Sequence, residues 1–370
     1  MDLPSAENEA FLTRQLITYI GNKRSLLPFI GEALAMVKKR LDRRKLRIFD
    51  AFSGSGATAR YFKAHAESLL VNDIEAYAET INRCYLANAD ELPIKELAEI
   101  HKALLRRLRE EPLREGFIAE LYAPQSEDNI KSGERVFYTP RNAMFIDTAR
   151  QYIEEVDPAL RHFFIAPLLS EASVHANTAG VFKGFYKDRH TGIGRFGGTG
   201  RDALPRIKGN TELPFPVWSN FSCPVKVFSQ DANTLAHELE ESDLAYFDPP
   251  YNQHPYGSNY FMLNLILSYK RPQTVSPVSG IPPDWNRSLY NKRQAAAHTF
   301  SQLIEKTKSK FILISFNSEG FISPAEMQTM LEKAGKVEVF ETHYNTFRGS
   351  RNLRNREVHI REFLFLVNKY

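Results

Sequence analysis

The stretch DAFSGSGATA at 50–59 constrains the fold of this chain more than any other feature. An apolar, strand-like run at 46–52 leads into it, a glycine-rich turn follows, and a helix-like run leaves it. Gly54 and Gly56 lack Cβ atoms, so the backbone can turn sharply there and let a ligand come close. A second strand-like run, LLVND at 69–73, ends in the carboxylate of Asp73. Strand and helix patterns alternate through 46–88, the signature of βαβ units and a parallel sheet. An acid closing the second strand is where α/β nucleoside sites bond ribose hydroxyls. The turn lacks the third glycine of a dinucleotide fingerprint, so a nucleoside without a pyrophosphate suits it better than NAD.

FDPPY at 247–251 is the second informative run, and it too ends an apolar strand. Asp248 offers an acceptor for an N–H. Pro249 and Pro250 fix φ and restrict the residue before each of them, so nearby carbonyls point in set directions. Tyr251 adds a flat ring. A carboxylate, a stiff backbone and an aromatic face within five residues can hold a planar amino group for chemistry.

Strand-like runs return at 225–228, 244–247, 311–316, 337–340 and 362–367. Between the two halves the pattern becomes charged and helix-forming, then rich in glycine, aromatic and basic residues. Residues 1–90 and 222–370 therefore read as one discontinuous α/β domain and 91–221 as an insert. The Pro- and Ser-rich stretch 271–285 reads as a surface loop that could order on ligand binding.

With 370 residues the chain exceeds a typical single domain, and 43% hydrophobic against 25% charged residues excludes global disorder. Cys84 and Cys223 stand far apart without CxxC spacing, which suggests neither a disulfide framework nor a zinc site. No apolar run approaches the ~20 residues that span a bilayer, and the polar start lacks a signal-peptide layout. The expectation is a cytoplasmic protein with no metal and no membrane partner.

A net charge of +4 does not by itself demand a polyanionic partner, but its distribution is informative. Lys183, Lys187, Arg189, Arg195, Arg201, Arg206 and Lys208 crowd one segment, against only Asp188 and Asp202, and alternate with Phe182, Phe185, Tyr186 and Phe196. Such a cationic, aromatic stretch suits groove and phosphate contact better than core packing. Arg348, Arg351, Arg354 and Arg356 form a second run just after Tyr344.

YIGNK at 19–23, DAFSGSGATA at 50–59, VNDIE at 71–75, FSQDA at 228–232, FDPPYNQHPYGSNY at 247–260 and HYNTFRGSRN at 343–352 follow one another in a telling order. The set resembles the Dam-like, amino-group-directed adenine DNA methyltransferases, which use S-adenosylmethionine, in the arrangement where the DNA-reading region lies between the cofactor half and the catalytic half. The resemblance implies a Rossmann-like, seven-stranded methyltransferase sheet with an inserted target-recognition domain. It implies that Asp248 and a carbonyl near Pro249 grip the amino group of a flipped-out adenine while Tyr251 stacks on the base. For the cofactor it implies Asp50 at the methionine ammonium, Phe52, Gly54 and Gly56 along the turn, Asp73 at the ribose and Asp231 at the adenine amino group. Tyr19, Gly21, Asn22 and Lys23 would close over the methionine part, with Lys23 pairing its carboxylate. Asn252, His254 and Tyr256 fall where the resemblance puts DNA contacts or pocket wall.

The partners so implied are duplex DNA and a cognate restriction endonuclease. An RNA adenine methyltransferase and a catalytically inactive DNA-binding protein on the same fold are the rival readings; a cytosine-amino enzyme would more usually carry SPPY.

Overall fold

The computed structural model describes residues 7–198, 202–317, 320–345 and 359–370, with 343–345 and 359–360 described by backbone alone. Seven strands form one sheet: β1 (Leu46–Asp50), β2 (Ala66–Asn72), β3 (Val225–Phe228), β4 (Ser242–Phe247), β5 (Ser309–Asn317), β6 (Gly335–Asn345) and β7 (His359–Lys369). Their order is β3-β2-β1-β4-β5-β7-β6. The five from β1 to β5 pair in parallel, and β7 runs antiparallel between β5 and β6. This is the expected α/β methyltransferase-type sheet. The closing pair is longer than the apolar runs at 337–340 and 362–367 suggest, because the ladder continues through polar residues such as Thr342 and Arg361.

Strand order reverses at β1, with β2 on one side and β4 on the other. In open parallel sheets, such a point leaves a crevice outside the carboxyl ends of the strands. Asp50 ends β1 and pairs with Val71 of β2 and Tyr246 of β4, so Asp73 and Asp248, each just past its strand, rise on either side of it. The antiparallel course of β7 brings its opening residues to the same edge, where Glu362 pairs with Asn317 at the end of β5.

Side chains alternate between the two faces of a strand, and the burial follows that rule. Leu46, Ile48, Leu69, Val71, Leu244, Tyr246, Phe311, Leu313, Leu364 and Leu366 join the core on one face. Phe49, Ala245, Phe247, Ile312, Ile314, Phe316, Phe363 and Phe365 join the core on the other. By the same alternation Asp50, Asp73, Asp248, Ser315 and Glu362 fall on the first face, at its carboxyl edge. β4 is buried along its whole length, which is why its part from 244 to 247 reads as a continuous apolar run.

The segment 91–221 shares the core of the first face. Its Leu104, Phe117, Tyr122, Phe137, Phe164 and Trp218 lie in one cluster with strand and helix residues of the rest of the chain. The helix His162–Val174 packs on the helices Ala76–Tyr85 and Phe261–Ser268. Two buried ionic groups on the helix Pro140–Glu154 extend that brace. Arg150 donates to the carbonyls of Ile266 (2.7 Å) and Leu267 (3.3 Å), capping the end of Phe261–Ser268. Asp147 accepts from the amides of Gly116, Ile118 and Ala119 and from the Tyr269 hydroxyl at 2.8 Å.

The helix so held begins just past the DPPY loop, so the brace fixes the far end of that loop. Asp147→Ala leaves several buried amides without an acceptor and should destabilise the fold by about 3 kcal/mol. Urea denaturation is expected to show a lower midpoint with an unchanged slope.

Candidate active site

One cleft opens at the strand-order reversal. Its wall comprises Tyr19 to Lys23, the turn from Phe52 to Ser55, Asn72 to Glu75, Gln230 to Ala232, Asp248, Pro250, Tyr256 and a rim at Asn286 to Asn291. Beyond β1 the chain needs left-handed backbone at Gly54 (φ +50) and Gly56 (φ +75) to enter the helix Ala57–Lys63. A Cβ on Gly54 would sit 2.7 Å from the Tyr19 ring, and one on Gly56 2.5 Å from Asn82 Oδ1. Both glycines thus serve a close approach as well as a turn. The Gly54 amide donates to Asp73 Oδ2 at 2.8 Å, which locks the turn to the end of β2, while Asp73 Oδ1 accepts from the Glu75 amide. Burial pushes the Asp73 carboxyl up to about 6.

Tyr19 is the lid of this end. Its ring stacks on Tyr256 and Tyr260 with centroids 5.0 and 4.8 Å apart, and the Tyr256 hydroxyl donates to the Ile20 carbonyl at 3.1 Å. Gly21, at φ +74, lies against the hydroxyls of Tyr256 and Tyr251. Asn22 accepts from the Arg24 amide. Phe52 stands edge-on to Tyr290 and Phe247. Asp231, at the rim, caps the helix Ala232–Glu238 by accepting from the amides of Asn233 and Thr234. Asp50 lies under the cleft and not on its wall; it is fully buried, takes a hydrogen bond from Thr58 Oγ1 at 3.0 Å, and burial raises it to about 7.

On the other side of the cleft stands Asp248. Lys23 Nζ is 3.2 Å from its Oδ1 and 2.7 Å from Glu362 Oε1, and Glu362 also accepts from Ser315 Oγ at 2.8 Å. Burial raises the Asp248 carboxyl to about 7, with Lys23 opposing the rise and Glu362 adding to it. Burial works against the charge of Lys23, but Asp248 and Glu362 outweigh it and hold its pKa well above the ordinary lysine value. The ammonium expected at a cofactor carboxylate is therefore engaged by two carboxylates of the protein itself. Tyr251 packs against Phe316 at 5.4 Å, its carbonyl accepts from the Phe321 amide, and Pro249 is buried beside it.

Residues that sequence reasoning missed fall on the same cleft. Glu75 lines it, bonded to Asn264 at 2.8 Å, and burial raises it to about 7. Asn286 donates to the Ile74 carbonyl, Asn291 to the Asn252 carbonyl, and Tyr290 to Asn233, so the stretch after Trp285 forms a docked rim. The preceding loop is tied to the 91–221 segment through Tyr122 to the Gly280 carbonyl and Arg135 to the Ser276 carbonyl. The one sequence signal for Glu362 is a charge inside the apolar strand HIREFLFLV.

The basic stretch divides. Lys183, Lys187 and Arg189 are exposed, and Lys183 lines a groove with Pro255, Ser258 and Trp285 next to the cleft. Arg195 instead turns inward, donating to the carbonyls of Gly197 and Gly198, and Arg206 donates to those of Val174, Ala176 and Thr178. Phe182 is buried among Phe137, Tyr138 and Phe261. Phe182 belongs to the core, whereas the two arginines, each only partly buried, serve a stretch that lacks regular ladders and whose carbonyls need side-chain donors. Tyr256 is cleft wall, whereas Asn252 is off the wall, its carbonyl accepting from Asn291, which is on it. Arg201, Arg348 and Arg351, like Arg354 and Arg356, lie outside the described residues, as does the side chain of Tyr344. Among the described residues no group of His, Cys, Asp or Glu is arranged to hold a metal ion, and no helix is long and apolar enough to cross a membrane.

A family model described as D12 class N6 adenine-specific DNA methyltransferase matches residues 19–330. The chain is similar to the type II methyltransferase M.NlaIII of Neisseria lactamica, 29% identical over 361 residues that cover 95% of this chain and 99% of that protein. It is equally similar to the type II methyltransferase M.CviAII of Paramecium bursaria Chlorella virus 1, 29% identical over 356 residues, covering 95% and 98%. The type II methyltransferase M.FokI of Planomicrobium okeanokoites is 26% identical over 365 residues, which cover 95% of this chain and 52% of that protein. The likeness carried by the ordered motifs is thus borne out over nearly the whole chain. With its glycine turn and its DPPY acid facing one cleft, this chain belongs to the D12 class of N6 adenine-specific DNA methyltransferases, and its activity is methylation of adenine in DNA.

Proposed function

We propose that Asp248, with a main-chain carbonyl beside Pro249, accepts the amino hydrogens of an adenine swung out of duplex DNA. The observation that carries this reading is that Asp248 shares one cleft with the glycine turn and Asp73. The lone pair of an exocyclic adenine nitrogen is delocalised into its ring. Two acceptors gripping its hydrogens favour a more tetrahedral nitrogen, and those bonds strengthen as positive charge develops, which lowers the barrier selectively. Tyr251, backed by Phe316, supplies the ring that stacks on the base and offsets part of the few kcal/mol that extrusion costs.

The far half of the cleft suits S-adenosylmethionine. Its cradle is one that a Cβ on Gly54 would fill; Asp73 and Glu75 offer carboxylates, and Phe52 and Tyr290 offer aromatic faces. When bound, that cofactor supplies the electrophilic methyl group. In this reading Tyr19, Gly21 and Asn22 close over it, Asp73 takes the ribose, and Asp231 reaches its base with whatever its cap bonds leave over. Asp50 acts from below, setting the turn through Thr58, and Lys23 serves Asp248. Segment 91–221 supplies the DNA-reading surface as an extension of the catalytic core, with Lys183, Lys187, Arg189, Asn252 and the arginines around Arg348 and Arg351 on the phosphates. A cytoplasmic modification role beside a cognate restriction endonuclease fits the type II relatives and the free, buried Cys84 and Cys223.

Incubation with labelled S-adenosylmethionine and a mixture of DNA and RNA should label DNA alone, at N6 of adenine in one short sequence. Asp248→Ala should abolish transfer while cofactor binding stays measurable by calorimetry; retained turnover would reject the assignment. Because the acceptor must be ionised, single-turnover rates should fall about tenfold per pH unit below about 7, where Asp248 takes up its proton. Asp73→Ala should weaken cofactor affinity at least tenfold by the same calorimetry. The triple variant Lys183→Ala, Lys187→Ala, Arg189→Ala should flatten the logarithmic salt dependence of DNA binding, by about one unit of slope for each phosphate left unneutralised, as read by fluorescence anisotropy.

A further inference from the structure

Glu362 has no part in the motifs that identify this family member, yet it is 2% exposed at the carboxyl edge of the sheet and its Oε1 holds the Lys23 ammonium at 2.7 Å. Asp248 lies 3.2 Å from the same nitrogen, so one ammonium stands between two carboxylates, and the nearer of them is Glu362. Ser315 Oγ donates to Glu362 at 2.8 Å and fixes it from β5.

A structural tie between β7 and the N-terminal segment is the simplest role for such a group. Buried ion pairs are poor devices for stability, however, since desolvation offsets most of the attraction and apolar residues of like volume serve as well. The charge balance points elsewhere. Lys23 beside Asp248 alone would make a neutral pair, weakening the acceptor where positive charge is to develop on the target nitrogen. A second carboxylate behind the ammonium leaves the trio net negative.

We propose that Glu362 is a positioning residue for methyl transfer: it draws the Lys23 ammonium toward β7 and keeps Asp248 a strong hydrogen-bond acceptor for the target amino group. The inference rests on the assignment of Asp248 as that acceptor. Other titratable groups face the trio: Asp50 from β1, Tyr246 from β4, Tyr251 from the loop beyond β4 and Tyr256 from the short helix Tyr256–Asn259 that follows it. The first two add negative or neutral neighbours at fixed distance, and all four remain in the variants used below.

The test is Glu362→Gln, which keeps volume and an acceptor for Lys23 and Ser315 but removes the charge. In cofactor-free protein carrying carbon-13-labelled aspartate carboxyls, with the Asp248 signal identified by its absence in Asp248→Asn, the midpoint of the Asp248 titration should fall by about one pH unit as a like charge is removed. Well above both midpoints, where Asp248 is ionised in either protein, single-turnover methylation should slow about tenfold at unchanged DNA affinity. An unmoved midpoint with an undiminished rate overturns the proposal.

Glu362→Asp keeps the charge and shortens its reach, so its midpoint should stay near wild type while transfer slows. A midpoint that falls as far as in the glutamine variant would make the effect one of packing, and sinks the idea. Should the glutamine variant not fold, the aspartate variant decides alone, since unslowed transfer contradicts a positioning role. Asp248→Asn turning over at the wild-type rate would remove the acceptor assignment itself, whereas an inert Asp248→Asn beside an unaltered Glu362→Gln removes Glu362 only.

Discussion

A carboxylate at the end of a strand buried on both faces is the constraint from which the arrangement of this molecule follows. β4 offers no water along its length, and Asp248 comes next in the chain. A charge so placed costs several kcal/mol to desolvate unless a partner of opposite sign is held against it. No such partner is available locally, because the parallel neighbours bring Asp50 and Asp73 to the same edge. The N-terminal segment has to cross the ends of the strands to deliver Lys23, and in doing so it lays Tyr19 over the glycine turn. One ionic requirement thus closes the cleft over the glycine turn and orders it around Asp248.

The antiparallel β7 belongs to the same solution. Were it parallel to β5, its start would lie at the opposite edge, and Glu362 could not reach Lys23. Because it runs the other way, Glu362 meets Lys23, 339 positions away, while Ser315 from the neighbouring strand also donates to it. The alternation of side chains puts Asp248, Ser315 and Glu362 on one face, so the polar edge forms above the apolar core without a break in the pleat.

That separation explains what can and cannot be read in the sequence. The strands, the glycine turn and the DPPY loop are local: periodicity, glycine positions and prolines within a few residues specify them, and the sheet order follows from motif order. The motif around Lys23 places it in the cleft but does not disclose its ionic partners within the protein, since those carboxylates lie just past β4 and on β7, and no local pattern reports on them. Arg195 and Arg206 read as phosphate contacts because exposed and inward arginines look alike in a run of glycines and aromatics. Only the tertiary structure shows that unpaired carbonyls claim them. The 91–221 segment stands apart by its change of pattern, yet its apolar residues pack into the core of the first face, because a helix pattern does not say which neighbour covers it.

Charge is sorted by depth as well. Asp50, Asp73, Glu75, Asp248 and Glu362 gather in and under the cleft with Lys23 among them, while Lys183, Lys187 and Arg189 stand outside. Burial and mutual repulsion raise the carboxyls of Asp50, Glu75 and Asp248 to about 7, and burial raises Asp73 to about 6. A site of this kind attracts cations and repels phosphate. For an enzyme acting on a polyanion, such sorting would serve the reading proposed for Asp248 as a filter, with the sugar-phosphate backbone kept to the exposed basic residues and an uncharged base the part of DNA suited to the cleft. In that same reading the acidic lining would favour positive charge both on a sulfonium-bearing cofactor and on the nitrogen as it takes up a methyl group, so that substrate selection and barrier lowering would arise from one distribution of charge.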